Sequence, residues 1–270
     1  MTTAVGLICT DGIAIGTDMK VTAGSLKWRE AKLFTEISLG KRALFIAGAG
    51  RLRHVKDAID WVTAGKLEEY LGDNPSFDEF IGKVIEVRLP QFAHDFQDKY
   101  GIAPSIELLV AGIDKDGKPR LAQIYNDGDY DHRDTFAAIG SGSIFGEILL
   151  RKLYYPEMTV SVAKKVIGYI IWEIQDIDND SGEHMQIATV DNKGKATKLG
   201  DLEIESYKTL PMLVSNSYKA LRRKIEAIQL EQIENHIKNL QELVSKVAQS
   251  EGHSGKANKG TTETPRPTKP

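Results

Sequence analysis

The sequence predicts an α+β domain in which two antiparallel sheets lie face to face between pairs of helices, a four-layer αββα sandwich. Three observations lead there. Hairpin signals recur between apolar runs, at Thr10-Asp11-Gly12 and again at Lys115-Asp116-Gly117-Lys118. Stretches of helical period come in pairs between those hairpins, not singly between strands as in a doubly wound fold. The length of 270 residues, with 41% hydrophobic and 27% charged, suits one substantial core with something added to it.

The elements follow in order. Residues 3–9 (TAVGLIC) and 13–17 (IAIGT) read as a first strand pair. "KLFTEI" (32–37) and "RALFIAGAG" (42–50) read as a second, joined at Leu39-Gly40. From residue 51 to 64 the period becomes helical, with Leu52, Val55, Ile59 and Val62 on one face. Ser76 and Asp78 suit the start of a second helix reaching Tyr100, which Pro90 should kink or split. Strands return at 106–114, 120–126 and 135–140, helices at about 143–154 and 159–175, and strands at 185–191 and 196–200. "NDGDYDHRD" (126–134) reads as a solvated turn.

The core domain is therefore expected over residues 1–210. An amphipathic helical extension follows over 211–249, with Leu221, Ile225, Ile228, Ile233, Ile237, Leu240, Val244 and Val247 at near-heptad spacing. Packing against the protein's own body is the commonest use of such a stripe; it could also extend oligomerisation, cap a ring pore or dock a partner, and a role in assembly is expected. Residues 250–270, polar and rich in Gly and Pro, are expected to be disordered.

Composition excludes several function classes. The formal net charge is −3, so no broad basic field for nucleic acid is expected. Cys9 is the sole cysteine, which rules out an intrachain disulfide and suits a reducing compartment. No apolar run approaches the roughly 20 residues of a membrane span. The first residues lack a signal-peptide pattern, so a soluble cytoplasmic protein without membrane partners is expected. No cofactor or metal is expected either: the six histidines show no ligand spacing, and "DIDNDSGEH" departs from a calcium loop at its sixth and twelfth positions, Ser181 and Ile187. "GSGSIFG" (140–146) lacks the sixth-position glycine and the βαβ setting of a dinucleotide loop.

The chemistry centres on Thr2. If Met1 is removed, Thr2 carries a hydroxyl and a free α-amine, and an α-amine titrates near roughly 7.7–8.0, suited to act as a base for its own hydroxyl. Alone, "MTT" reads more readily as ordinary β-branched residues at the start of a strand.

Six further matches decide the reading. A threonine-led strand pair, "TTAVGLICTDGIAIGTDMKVTAG", ends in Asp18 and is followed by "KVTAG". Lys32 opens the next strand, Ala47-Gly48 stands at a strand-to-helix junction, and Gly140-Ser141-Gly142 follows the middle hairpin. Asp178-Asn179-Asp180-Ser181-Gly182 precedes a later strand. In this order, over about residues 2–200, the chain resembles the proteasome β-subunit family and its simpler bacterial ring-peptidase relatives, members of the N-terminal-nucleophile hydrolases.

The resemblance implies a threonine peptidase. Thr2 Oγ would be the nucleophile and its amine the general base. Lys32 would lower the basicity of that amine, Asp18 would hold Lys32, and the Gly48 N–H would face the oxyanion. Ser141, Asp178 and Ser181 would surround the amine. Val21, Thr22, Ile46 and Ala49 would line a pocket for apolar or modest-sized side chains. A homo-oligomeric ring admitting unfolded polypeptide, with an ATP-dependent unfoldase or activator as partner, is also implied. Only Met1 precedes Thr2, where proteasome members carry a propeptide. An amidase or peptide ligase of the same class, and a silent ring scaffold, stay open; Thr2, Lys32 and Asp18 together argue against the scaffold.

Overall fold

A computed structural model describes residues 2–23, 26–64, 70–177 and 184–254. Strands β1 (Thr3–Cys9) and β2 (Gly12–Asp18) form the expected first hairpin. A short ribbon follows, β3 (Lys20–Ala23) with β4 (Leu26–Arg29), which the sequence reading passed over. Then come β5 (Leu33–Leu39), β6 (Arg42–Gly50) and helix α1 (Leu52–Thr63).

The next helix, α2, starts at Phe77–Phe80, passes through a π-helical turn at Ile81–Ile85 and continues over Glu86–Tyr100. Ser76 caps it reciprocally with Glu79, as the residue types foretell. The helix continues through Pro90 and is not split there; the π turn just upstream is where its hydrogen-bond ladder departs from the α pattern.

Strands β7 (Ile106–Ile113), β8 (Pro119–Ile124), β9 (Tyr130–Arg133) and β10 (Phe136–Gly140) follow. β9 corrects the solvated-turn reading of 126–134. Its residues pair with β8, Leu121 opposite Arg133 and Ile124 opposite Tyr130, and polar side chains suit an exposed edge strand. Helices α3 (Ser143–Leu153) and α4 (Val160–Ile177), strands β11 (Met185–Asp191) and β12 (Ala196–Lys198), and the short α5 (Asp201–Ser206) complete the domain.

Two five-stranded antiparallel sheets result, in the orders β10-β1-β2-β11-β12 and β5-β6-β7-β8-β9. Strand alternation then builds the layers. Ala4, Ile13 and Ile15 of the first sheet meet Phe45, Ala47, Leu109 and Leu121 of the second in a core between the sheets. The opposite faces are covered by helices. Val5 and Leu7 pack with Ile167, Ile170 and Ile174 of α4, while Leu44, Ile46 and Val110 pack with Val55 and Ile59 of α1 and Phe80 of α2. The molecule is an α+β sandwich of helices, sheet, sheet and helices.

Contacts divide the chain into residues 1–212 and 213–270. Helix α6 spans Leu210–Ser254, and in the second unit Leu221, Ile225, Ile228, Ile233, Ile237 and Leu240 are exposed. Most of the expected tail, from residue 255 on, lies outside the described residues. Among the described residues no helix is long and apolar enough to cross a membrane, and no group of three or more metal-ligating side chains occurs.

Candidate active site

The site lies at the end of the sandwich where β1 begins and β2 ends. Antiparallel pairing sets Ala4 beside Thr17, so the start of β1 runs next to Asp18. The Asp18 carboxylate is fully buried and accepts hydrogen bonds from Thr3, Lys20 and Lys32. Oδ1 takes the Thr3 N–H at 2.8 Å and Lys32 Nζ at 3.1 Å; Oδ2 takes the Lys20 N–H at 3.1 Å and Lys32 Nζ at 2.9 Å. Two backbone donors and one ammonium therefore replace the water that burial removes. The pair lies inside, with side-chain exposures of 0% for Asp18 and 2% for Lys32.

Lys32 is held from a second direction. Gln186 of β11 accepts the backbone N–H groups of Lys32 and Leu33 on its Oε1, at 3.1 and 3.2 Å. Gln186 had no signal of its own in the sequence, because its partners lie more than 150 positions away and in the other sheet.

Thr2, 3% exposed, shares one cavity of about 1070 Å³ with Lys32, Val21, Ala49, Gly50 and Ser141. The Ser141 hydroxyl donates to the Thr2 carbonyl at 3.4 Å. Beyond Val21 and Ala49 the cavity wall combines Trp28, Leu52 and Ile106 with the charged residues Glu30, Arg51, Arg53, Lys56 and Glu107, which the sequence reading had not placed there. Glu30 pairs with Lys56, and both that bond and one from Trp28 Nε1 hold the Glu30 carboxyl below its ordinary range.

Two of the expected positions differ. Ile46 faces the helices and belongs to the core with Val55 and Ile59, since on β6 it has opposite parity to Ala47 and Ala49. Gly48 donates its N–H to the Lys32 carbonyl at 3.1 Å, inside the β5–β6 ladder, so that N–H does not face the cavity. The ladder points to Gly50 instead. Arg51, just past β6, donates its N–H to the carbonyl of Ser105, just before β7, at 3.1 Å, so in the β6–β7 register odd residues of β6 direct their amides to β7 and even ones to the β5 side. β5 begins at Leu33, opposite Ala47, and Gly50 lies beyond it on the cavity wall. Asp178 and Ser181 lie outside the described residues, as does the side chain of Thr22.

A sequence model of the proteasome family, described as proteasome subunit, matches residues 1–190. The chain belongs to the proteasome subunit family. Among curated proteins, proteasome subunit beta 2 of Pyrococcus furiosus is 29% identical over 195 residues, covering 72% of this chain and 88% of the relative. Proteasome subunit beta of Methanosphaera stadtmanae is 26% identical, with the same two coverages. Among solved structures, the Anbu (Gly-1) mutant from Hyphomicrobium sp. strain MC1 superposes with a TM-score of 0.70 at 17% identity, over 83% of this chain and 97% of that one. Anbu (ancestral beta-subunit) from Yersinia bercovieri gives 0.69 at 16% identity, over 81% and 96%. The domain thus has a proteasome-related peptidase fold, and the cavity around Thr2 sits within the matched region of this proteasome-family chain.

Proposed function

We propose that this proteasome-family protein is a threonine-type endopeptidase whose nucleophile is Thr2, exposed by cleavage of the Met1–Thr2 bond. The observation that carries the reading is the buried Asp18–Lys32 pair, whose lysine lines the cavity that holds Thr2. A fully desolvated ion pair is weak support for stability alone, because its desolvation cost rivals its attraction. It is well suited to hold a fixed positive charge beside a reacting group.

In the reaction, the freed Thr2 amine takes the Oγ proton as Oγ bonds to the substrate carbonyl carbon. Electrons of the C=O bond move to its oxygen, and the Gly50 N–H, not that of Gly48, is the donor placed to meet this oxyanion. Collapse breaks the C–N bond, and the ammonium of Thr2 gives its proton to the departing amine. A water, deprotonated by the same amine, then releases the ester. Lys32 keeps the amine from being permanently protonated, and Asp18 keeps Lys32 oriented. Ser141, Asp178 and Ser181 complete the surroundings of the amine. Val21, Thr22 and Ala49 contact the substrate beside the scissile bond.

The protein acts as a homo-oligomeric ring in the cytoplasm on unfolded polypeptide delivered by an ATP-dependent unfoldase or activator. The curated relatives named as proteasome subunits support assembly with further subunits. Incubating wild type and Thr2→Ala with an unfolded, fluorescently labelled protein tests the reading. Fragments from wild type alone are expected. Equal fragmentation by both, or by neither, contradicts it.

A further inference from the structure

We propose that Glu107 is a positioning residue for Thr2, fixing its main chain through the amide of Gly140. The inference rests on the threonine-peptidase reading and adds to it a residue that the Thr2, Asp18 and Lys32 constellation does not contain.

The register of β1 and β10 creates the need. Ile8 N–H bonds Thr135 O at 2.8 Å, and Thr3 stands opposite Gly140. Hydrogen-bonded pairs alternate, so Gly140 directs its N–H away from β1. β10 is the edge of its sheet, and among the described residues no strand pairs with it on that side. Glu107, which belongs to β7 of the other sheet, reaches across and accepts this N–H on Oε2 at 3.0 Å. The bond ties the two sheets at the end of the sandwich where Thr2 lies.

Gly140 is in direct contact with Thr2. Its φ is +88°, and a Cβ there would stand 2.0 Å from the Thr2 carbonyl oxygen. The next residue, Ser141, donates to that same oxygen. Any shift of Gly140–Ser141 is therefore a shift of Thr2.

Glu107 is itself held. Its Oε1 accepts Gln123 Nε2 at 2.8 Å, and Gln123 Oε1 accepts Arg133 Nη2 at 2.6 Å. Because Arg133 only donates, the Gln123 amide has one orientation, with its NH₂ toward Glu107. Two donors thus converge on residue 107, and an acceptor-only carboxylate satisfies both. An amide at 107 turns an NH₂ toward one of them, unless position 123 changes to accept it.

The experiment compares acylation of the full-length protein by a β-lactone, followed by intact mass, in wild type, E107Q and the double variant E107Q/Q123E. In the double variant the amide at 107 accepts from Gly140 and donates to the carboxylate at 123, whose other oxygen takes Arg133. We expect E107Q to slow acylation at saturating lactone by about tenfold or more, the cost of a displaced charge-assisted bond. The half-saturating lactone concentration should change little, and the double variant should recover most of the rate. Melting temperatures accompany the rates, so that if E107Q alone fails to fold the double variant still decides. E107Q as fast as wild type overturns the inference, and so does a folded double variant as slow as E107Q. Wild type that is never acylated overturns the peptidase reading and this inference with it.

Discussion

Lys32 Nζ sits 2.9 Å from Asp18 Oδ2, and neither side chain meets solvent to any useful degree. The pair is asymmetric, because Asp18 also accepts the amides of Thr3 and Lys20. Removing Asp18 takes a carboxylate acceptor from a buried ammonium and two backbone donors at once. Asp18→Ala is expected to cost about 3–5 kcal/mol. Lys32→Met leaves the carboxylate with its two amide donors and is expected to cost less. Urea denaturation of both variants checks the order, and an equal or reversed cost would contradict the geometry.

Gly50 should tolerate no side chain. Its φ is +116°, and a Cβ would lie 2.2 Å from Ser105 O. Gly50→Ala is expected to destabilise by at least about 1–3 kcal/mol. Where it is still folded, it should also lose acylation by more than its folded fraction explains. The rate of β-lactone modification, normalised to folded protein by circular dichroism, makes that comparison.

Much of this was legible in the sequence, and the parts that were not share a cause. The Thr10-Asp11-Gly12 turn, the helix start at Ser76 and the paired helices are local signals, and each formed. Asp18 and Lys32 stood out by residue type and by family resemblance, but their burial depends on three strands meeting. The sequence "AGAG" (47–50) offers two equivalent Ala-Gly steps. Only the bond to the Lys32 carbonyl shows that the amide of Gly48 is engaged, while Gly50 is the glycine on the cavity wall. Ile46 differs from Ala47 by one position, and one position in a strand changes the face. Glu107 and Gln186 were invisible because each acts across the gap between sheets, where no periodicity reports.

Cys9 should be inert. It is 4% exposed, and burial, with the Asp11 charge adding to it, pushes its thiol up to about 12. At pH 8 it is therefore a protonated, enclosed thiol. Iodoacetamide is expected to leave the native protein unlabelled and to modify it once only after denaturation. Labelling of the folded protein would show that Cys9 competes with Thr2 for electrophiles.

The most direct measurement is the intact mass of purified wild type and Thr2→Ala before and after a threonine-directed epoxyketone or β-lactone, with peptide mapping of the adduct. Wild type should begin at Thr2 and gain one adduct on that residue, and Thr2→Ala should gain none. A wild-type chain that retains Met1 and stays unmodified, or an adduct that persists in Thr2→Ala, would contradict the assignment of Thr2 as the nucleophile.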